Sequence, residues 1–106
     1  VGDDIAMPGV VEDCYDKTPL AALRSLLGAV HDLQDGLARI ACPLLLCTSV
    51  EDHVVDPLNS DHLANSVAGP VTRVALERSY HVATLDNDAP TIFEESAAFV
   101  ARVSAA

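Results

Sequence analysis

The chain has 106 residues, enough for one small domain, and half of them are apolar, but it holds only two Phe, two Tyr and no Trp. Any core must therefore be built from Ala, Val and Leu, and the shortage of stacking platforms argues against single-stranded nucleic-acid binding. Sixteen acidic against six basic residues give a formal charge of −10, which repels phosphate backbones and anionic membrane surfaces and leaves no nucleic acid among the expected partners.

Residues 1–17, with Gly2-Asp3-Asp4, Met7-Pro8-Gly9 and paired acids, hold no sustained period of 2 or 3.6 residues and read as a loop or arm. Thr18-Pro19 then offers a capping residue before a proline at the first helical position. Leu23, Leu27, Val30, Leu33 and Leu37 fall along one face after it. This spacing predicts an amphipathic helix that stops near Gly36, with the glycine in the left-handed conformation. Residues 40–48, Ile-Ala-Cys-Pro-Leu-Leu-Leu-Cys-Thr, are apolar without alternation, the pattern of a parallel strand covered on both faces. Residues 51–56 form a charged loop.

Asp56-Pro57 repeats the cap-plus-proline start and leads a short helix through Leu58, Leu63 and Val67 to the break at Gly69-Pro70. Residues 71–76 alternate more and predict a second strand nearer a sheet edge. After the turn Ser79-Tyr80-His81-Val82-Ala83-Thr84-Leu85-Asp86, a cap at Asp88 or a neighbour opens a last helix carrying Ile92, Phe93, Ser96, Phe99, Val100 and Val103.

The order is helix, strand, helix, strand, helix, which is α/β architecture with parallel strands. Two strands alone leave both sheet edges with unpaired backbone groups, and sheets of this kind usually carry several more. The chain begins with Val1, and its only methionine is the internal Met7. The expectation is thus the C-terminal portion of a larger sheet. Residues 1–106 form one unit, without repeat or linker, and the open edges offer a route to self-association. Cys14, Cys42 and Cys47 are odd in number and read as reduced thiols. With no signal peptide and no apolar stretch near the ~20 residues of a membrane span, a soluble cytoplasmic protein is expected.

Two residues carry the chemistry. Asp52 lies in a loop after the first strand and His81 in a loop after the second, 29 residues apart in the chain. A strand, a crossover helix and a parallel strand bring both loops to one edge of the sheet, where ligands of open α/β sheets bind. A carboxylate beside an imidazole fixes its tautomer and stabilises the imidazolium formed when the ring takes a proton from a nucleophile. Taken singly, His81 could cap the final helix or pair with Asp86, and Asp52 could be a solvated loop acid; their matched offsets favour the pair. Asp52-His53 and Asp61-His62 are two acid–histidine pairs, but the zinc spacings Cys-x-x-Cys and His-x-x-x-His are absent, and no metal is expected. His31 reads as a helix-end histidine.

Cys42-Pro43-Leu44-Leu45-Leu46, Ser49-Val50-Glu51-Asp52-His53-Val54-Val55-Asp56-Pro57 and the Ser79–Asp86 turn closely resemble the C-terminal third of α/β-hydrolase carboxylesterases and monoacylglycerol lipases, the bacterial esterase branch in particular. Asp4-Ile5-Ala6-Met7-Pro8-Gly9-Val10 and Tyr15-Asp16-Lys17-Thr18-Pro19-Leu20 resemble the segment leaving that family's cap. The resemblance implies an ester or acylglycerol substrate, no cofactor, and a Ser-His-Asp triad in which Asp52 is the acid and His81 the general base. The family's nucleophile is a serine in a Gly-x-Ser-x-Gly elbow. Ser25, Ser49, Ser60, Ser66, Ser79, Ser96 and Ser104 all lack the flanking glycines, so the 106 residues alone are expected to be inert. Epoxide hydrolases and haloalkane dehalogenases, which use an aspartate nucleophile, keep a similar acid and histidine; acyl transfer and a non-catalytic, self-associating module also stay open.

Overall fold

The computed structural model describes residues 3–105. The order of elements is α1 (Leu20–Leu33), a 3₁₀ turn (Gln34–Arg39), β1 (Leu44–Ser49), α2 (Leu58–Ser66), β2 (Val71–Leu76), a second 3₁₀ turn (Ala83–Leu85) and α3 (Ala89–Ser104). β1 and β2 pair in parallel, in a register running from Leu44 opposite Val71 to Ser49 opposite Leu76. The loops that follow Ser49 and Leu76 therefore leave the sheet side by side. α2 and α3 both pack on β1, whereas α1 touches chiefly the 3₁₀ turn after it.

Several elements differ from the sequence expectation, each for a local reason. The ladder begins at Leu44, not at residue 40, because the carbonyl of Ile40 accepts the amides of Ala68 and Gly69 at 2.9 and 3.0 Å, which binds that segment to a turn. Gly69 is required there, since a Cβ would fall inside van der Waals contact with the carbonyl oxygens of Cys42 and Ala41. Gly36 is not a left-handed stop: it lies inside the 3₁₀ turn, and among the described residues the only glycine with positive φ is Gly9. Pro19, not Thr18, flanks α1, and no side chain caps it. At α2 the expected cap is made, Asp56 Oδ1 accepting the Leu58 amide at 2.9 Å.

The strands are not covered on both faces. β1 is half-buried along its length except at the buried Ser49. Among the described residues, Leu37 and Leu76 are the buried apolar ones, while α1 holds no buried residue at all. α3 turns Ile92, Ser96 and Phe99 inward and leaves Phe93 and Val100 exposed. The accessible surface is 7606 Å², against the roughly 5,700 Å² of a compact monomer of this mass. The radius of gyration is 15.5 Å, where about 13 Å is usual for this length. The described fold is therefore a short sheet whose apolar helices stand largely uncovered.

Candidate functional site

The site sits where the two strands end. β1 finishes at Ser49, whose hydroxyl donates to the carbonyl of Tyr80 at 2.7 Å, and the Val50 amide donates to the Leu76 carbonyl at 3.0 Å. These bonds draw the loop after β1 against the loop after β2. Across the gap, Nδ1 of His81 lies 2.9 Å from Oδ2 of Asp52. The structure thus brings together the two residues singled out from the sequence.

Both oxygens of Asp52 are assigned. Oδ1 accepts the amides of Val54 and Val55 at 2.9 and 2.8 Å, an Asx-type turn that fixes the carboxylate and points Oδ2 at the imidazole. Partial burial opposes ionisation, but the Val55 and Val54 amides and the His81 ring outweigh it and hold the carboxyl below its ordinary value. Asp52 thus stands ready as an anion. The His81 side chain is 39% exposed against 15% for Asp52, so the imidazole faces solvent and the carboxylate is set behind it. Nε2 of His81 has no hydrogen-bond partner among the described residues.

The arm closes the site from outside. Asp4 accepts the amides of His81 and His53 on Oδ2 at 3.0 and 3.1 Å, and its Oδ1 accepts from Nδ1 of His53 at 2.6 Å. The Asp4 carbonyl accepts the Val82 amide at 3.1 Å. Burial disfavours the Asp4 anion, yet His53 and the two amides win and lower its pKa. For His53 the bond to Asp4 is the main cause of a raised pKa, with Glu51 adding to it.

The His53 ring stands edge-on to Tyr80, centroids 4.7 Å apart. One step deeper, the buried Asp86 accepts the amides of Ala6, Met7, Tyr80 and Asn87 at 2.6 to 2.9 Å. It anchors both the arm and the histidine turn, so it is not a partner for the His81 ring.

Other sequence candidates scatter. His62 bonds Gln34, Asp61 pairs with Arg73, and His53 is engaged as above, so the acid–histidine pairs do not converge. Asp88 flanks α3 as expected but does not cap it with its side chain; its carboxylate instead accepts the Arg78 amide and the Ser79 hydroxyl, each at 2.9 Å.

A cleft of about 210 Å³ beside the pair is lined by Ser49, Asp52, Ser60 and His81 among others. Ser49 spends its hydroxyl on Tyr80, and neither serine bonds the imidazole. Sequence reasoning missed Asp4, Ser49 and Asp86 as site-forming groups; the arm resemblance, which includes Asp4, was the one signal near the first.

No protein-family model matches the chain. The chain is 42% identical over 103 residues to the thermostable monoacylglycerol lipase of Bacillus sp. strain H-257, an alignment covering 96% of this chain and 41% of that protein. A solved structure from the work on LipS and LipT, two metagenome-derived lipolytic enzymes, superimposes with a TM-score of 0.92 at 41% identity, covering 96% of this chain and 42% of that one. The chain spans about two fifths of the length of these relatives.

Proposed function

Because the chain matches, in sequence and in fold, a portion of an α/β-hydrolase lipolytic enzyme, we propose that it supplies the acid and the base of a Ser-His-Asp triad that hydrolyses carboxylic esters, acylglycerols included. The observation that carries this reading is the 2.9 Å contact between Asp52 Oδ2 and His81 Nδ1 at the adjacent ends of two parallel strands. Asp52 accepts a hydrogen bond from Nδ1–H, which keeps the proton on Nδ1 and leaves the Nε2 lone pair free. A serine hydroxyl brought to Nε2 loses its proton to the ring as its oxygen attacks the ester carbonyl. The imidazolium, steadied by Asp52, then protonates the departing alcohol, and water repeats the cycle on the acyl-enzyme.

The serine and the oxyanion donors come from outside these residues, since no serine here has elbow glycines. The lipolytic relatives favour a serine over the aspartate nucleophile of dehalogenase-like enzymes. The free thiols of Cys14, Cys42 and Cys47 favour a reducing, cytoplasmic setting. In the full-length protein, His81→Ala should abolish ester turnover and Asp52→Asn should lower kcat by about 10⁴. The 106-residue chain alone should neither hydrolyse a nitrophenyl ester nor be labelled by a serine-reactive phosphonate. Near-normal rates in both variants, or saturable turnover with labelling of one serine in the short chain, would overturn the reading.

The excess of exposed surface favours one second reading, a non-catalytic self-associating module. It predicts that the isolated chain sediments as a defined dimer, and that His81→Ala changes nothing in any assay of the whole protein.

A further inference from the structure

We propose that Asp4 is a positioning residue for the His81–Asp52 pair, locking the two loops that carry them in one register; this rests on the triad reading above. Three bonds converge on its carboxylate. Oδ2 holds the main-chain amide of His81, the base itself, at 3.0 Å and the amide of His53, the residue after the acid, at 3.1 Å. Oδ1 holds the His53 ring at 2.6 Å. One carboxylate therefore spans the loop after β1 and the loop after β2, each within one residue of the pair.

The flanking bonds work in the same direction. The Asp4 carbonyl takes the Val82 amide, and Asp86 takes the amides of Tyr80, Ala6 and Met7. Residues 80, 81 and 82 are thus each held by their own main-chain group. Without Asp4 the central one is free to shift.

The arm is shaped for this task. Asp3 has a φ of 61°, a left-handed conformation uncommon for a residue other than glycine, and the Ile5 amide closes back on the Asp3 carbonyl at 2.8 Å. Asp3 Oδ1 also accepts the Glu12 amide at 2.6 Å, so the arm folds on itself around Asp4. Strained conformations persist where surrounding structure over-determines them, and they cluster at functional sites.

A shift of about 1 Å in a reacting group costs on the order of 10² in rate. In the full-length protein, Asp4→Ala should lower kcat per phosphonate-titrated active site by about 100-fold and leave KM within about twofold. A merely structural role would reduce the number of titratable sites without changing the rate of each. Asp4→Asn should restore most of the rate above about pH 8, because its carbonyl can take the two amides while its NH₂ donates to a neutral His53 Nδ1. It should fail by about tenfold near pH 5.5, where a protonated ring can no longer accept that bond. Asp4, Glu51 and Tyr80 are the charged or titratable groups facing that ring.

Wild-type kcat per site in Asp4→Ala would overturn the proposal. If that variant cannot be purified folded, an Asp4→Asn pH profile superimposable on wild type would do so. His81→Ala run alongside separates the two readings: activity retained there sinks the triad, whereas an inactive His81→Ala with a normal Asp4→Ala sinks only Asp4.

Discussion

The two ends of this molecule are built on opposite principles. At the end where the strands stop, all the buried residues but Leu76 are polar, Ser49, Ser79, Asp86 and Asp88, and each of these has a hydrogen-bond partner. On the helices the apolar side chains stand open. In α1, Leu20, Leu26, Leu27 and Leu33 are each more than half exposed, and Phe93 and Val100 of α3 are 59% exposed. A buried polar group is tolerable only when satisfied, whereas apolar area stabilises only when covered. Among the described residues the polar groups of the site end are thus bonded within the chain, Thr48 Oγ1 being the one buried side-chain oxygen without a partner, whereas the apolar side chains of the helices are not covered. Local geometry at Asp52 and His81 follows from bonds inside the chain, while the exposed helical faces add stability only where another surface covers them.

The strongest way to break this contrast is to remove a satisfied anion from the site end. Asp86→Ala leaves the amides of Ala6, Met7, Tyr80 and Asn87 without an acceptor, and each part-buried orphan costs about 1–3 kcal/mol. With water reaching some of them, a net loss of about 4 kcal/mol is expected in the full-length protein, measured by denaturant unfolding. A loss under 1 kcal/mol would mean that the site end owes its order to something other than this network.

The helical end makes the opposite prediction. Leu27 is 59% exposed, so on this surface alone Leu27→Ala should change stability by less than about 0.5 kcal/mol. If the apolar face of α1 is covered in the whole protein, the same substitution should cost it about 2 kcal/mol or more. Equal, negligible effects in the short and full-length chains would show that the face is never covered.

This contrast also explains which parts of the molecule the sequence disclosed. β2 runs over Val71–Leu76 as its alternation and the Gly69-Pro70 break predict, because a strand bounded by turn residues is specified locally. The proximity of Asp52 and His81 was legible for a similar reason: equal offsets after two parallel strands need only topology to become a contact. The start of β1 was not legible, since an apolar run does not say which of its members pair with a strand and which with a turn, as Ile40 does. Asp88 was placed correctly but given the wrong partner, because a carboxylate before a helix can accept from the chain behind it as well as from the helix ahead. Asp4 lay furthest out of reach. It meets His81 across 77 residues of chain from an arm with no periodicity, and a side-chain bond to a main-chain amide leaves no mark on composition or spacing.

Acid should expose the same division with the smallest and most selective effect. Asp4, Asp52, Asp86 and Asp88 all belong to the site end, and all have pKa values lowered from the ordinary 3.8: burial opposes the anion in each, but accepted hydrogen bonds outweigh it. A carboxyl whose folded value is depressed contributes stability that is complete above the unfolded value and fades as pH falls through the folded one. Their contribution should therefore be intact at pH 5 and drain away below about pH 4. His53 works in the opposite sense. Its value is raised from 6.5, chiefly by Asp4, so its small exposed contribution is present below pH 6.5 and is lost as pH rises through the folded value. Neither change acts on α1, whose first turn holds no acid and whose open face is leucine and valine. Hydrogen exchange at pH 5 and pH 3, corrected for intrinsic rates, should show protection falling at the amides of Tyr80, His81 and Val54 while α1 changes little. Uniform loss along the chain would mean that the two ends melt as one unit and that the polar network has no stability of its own.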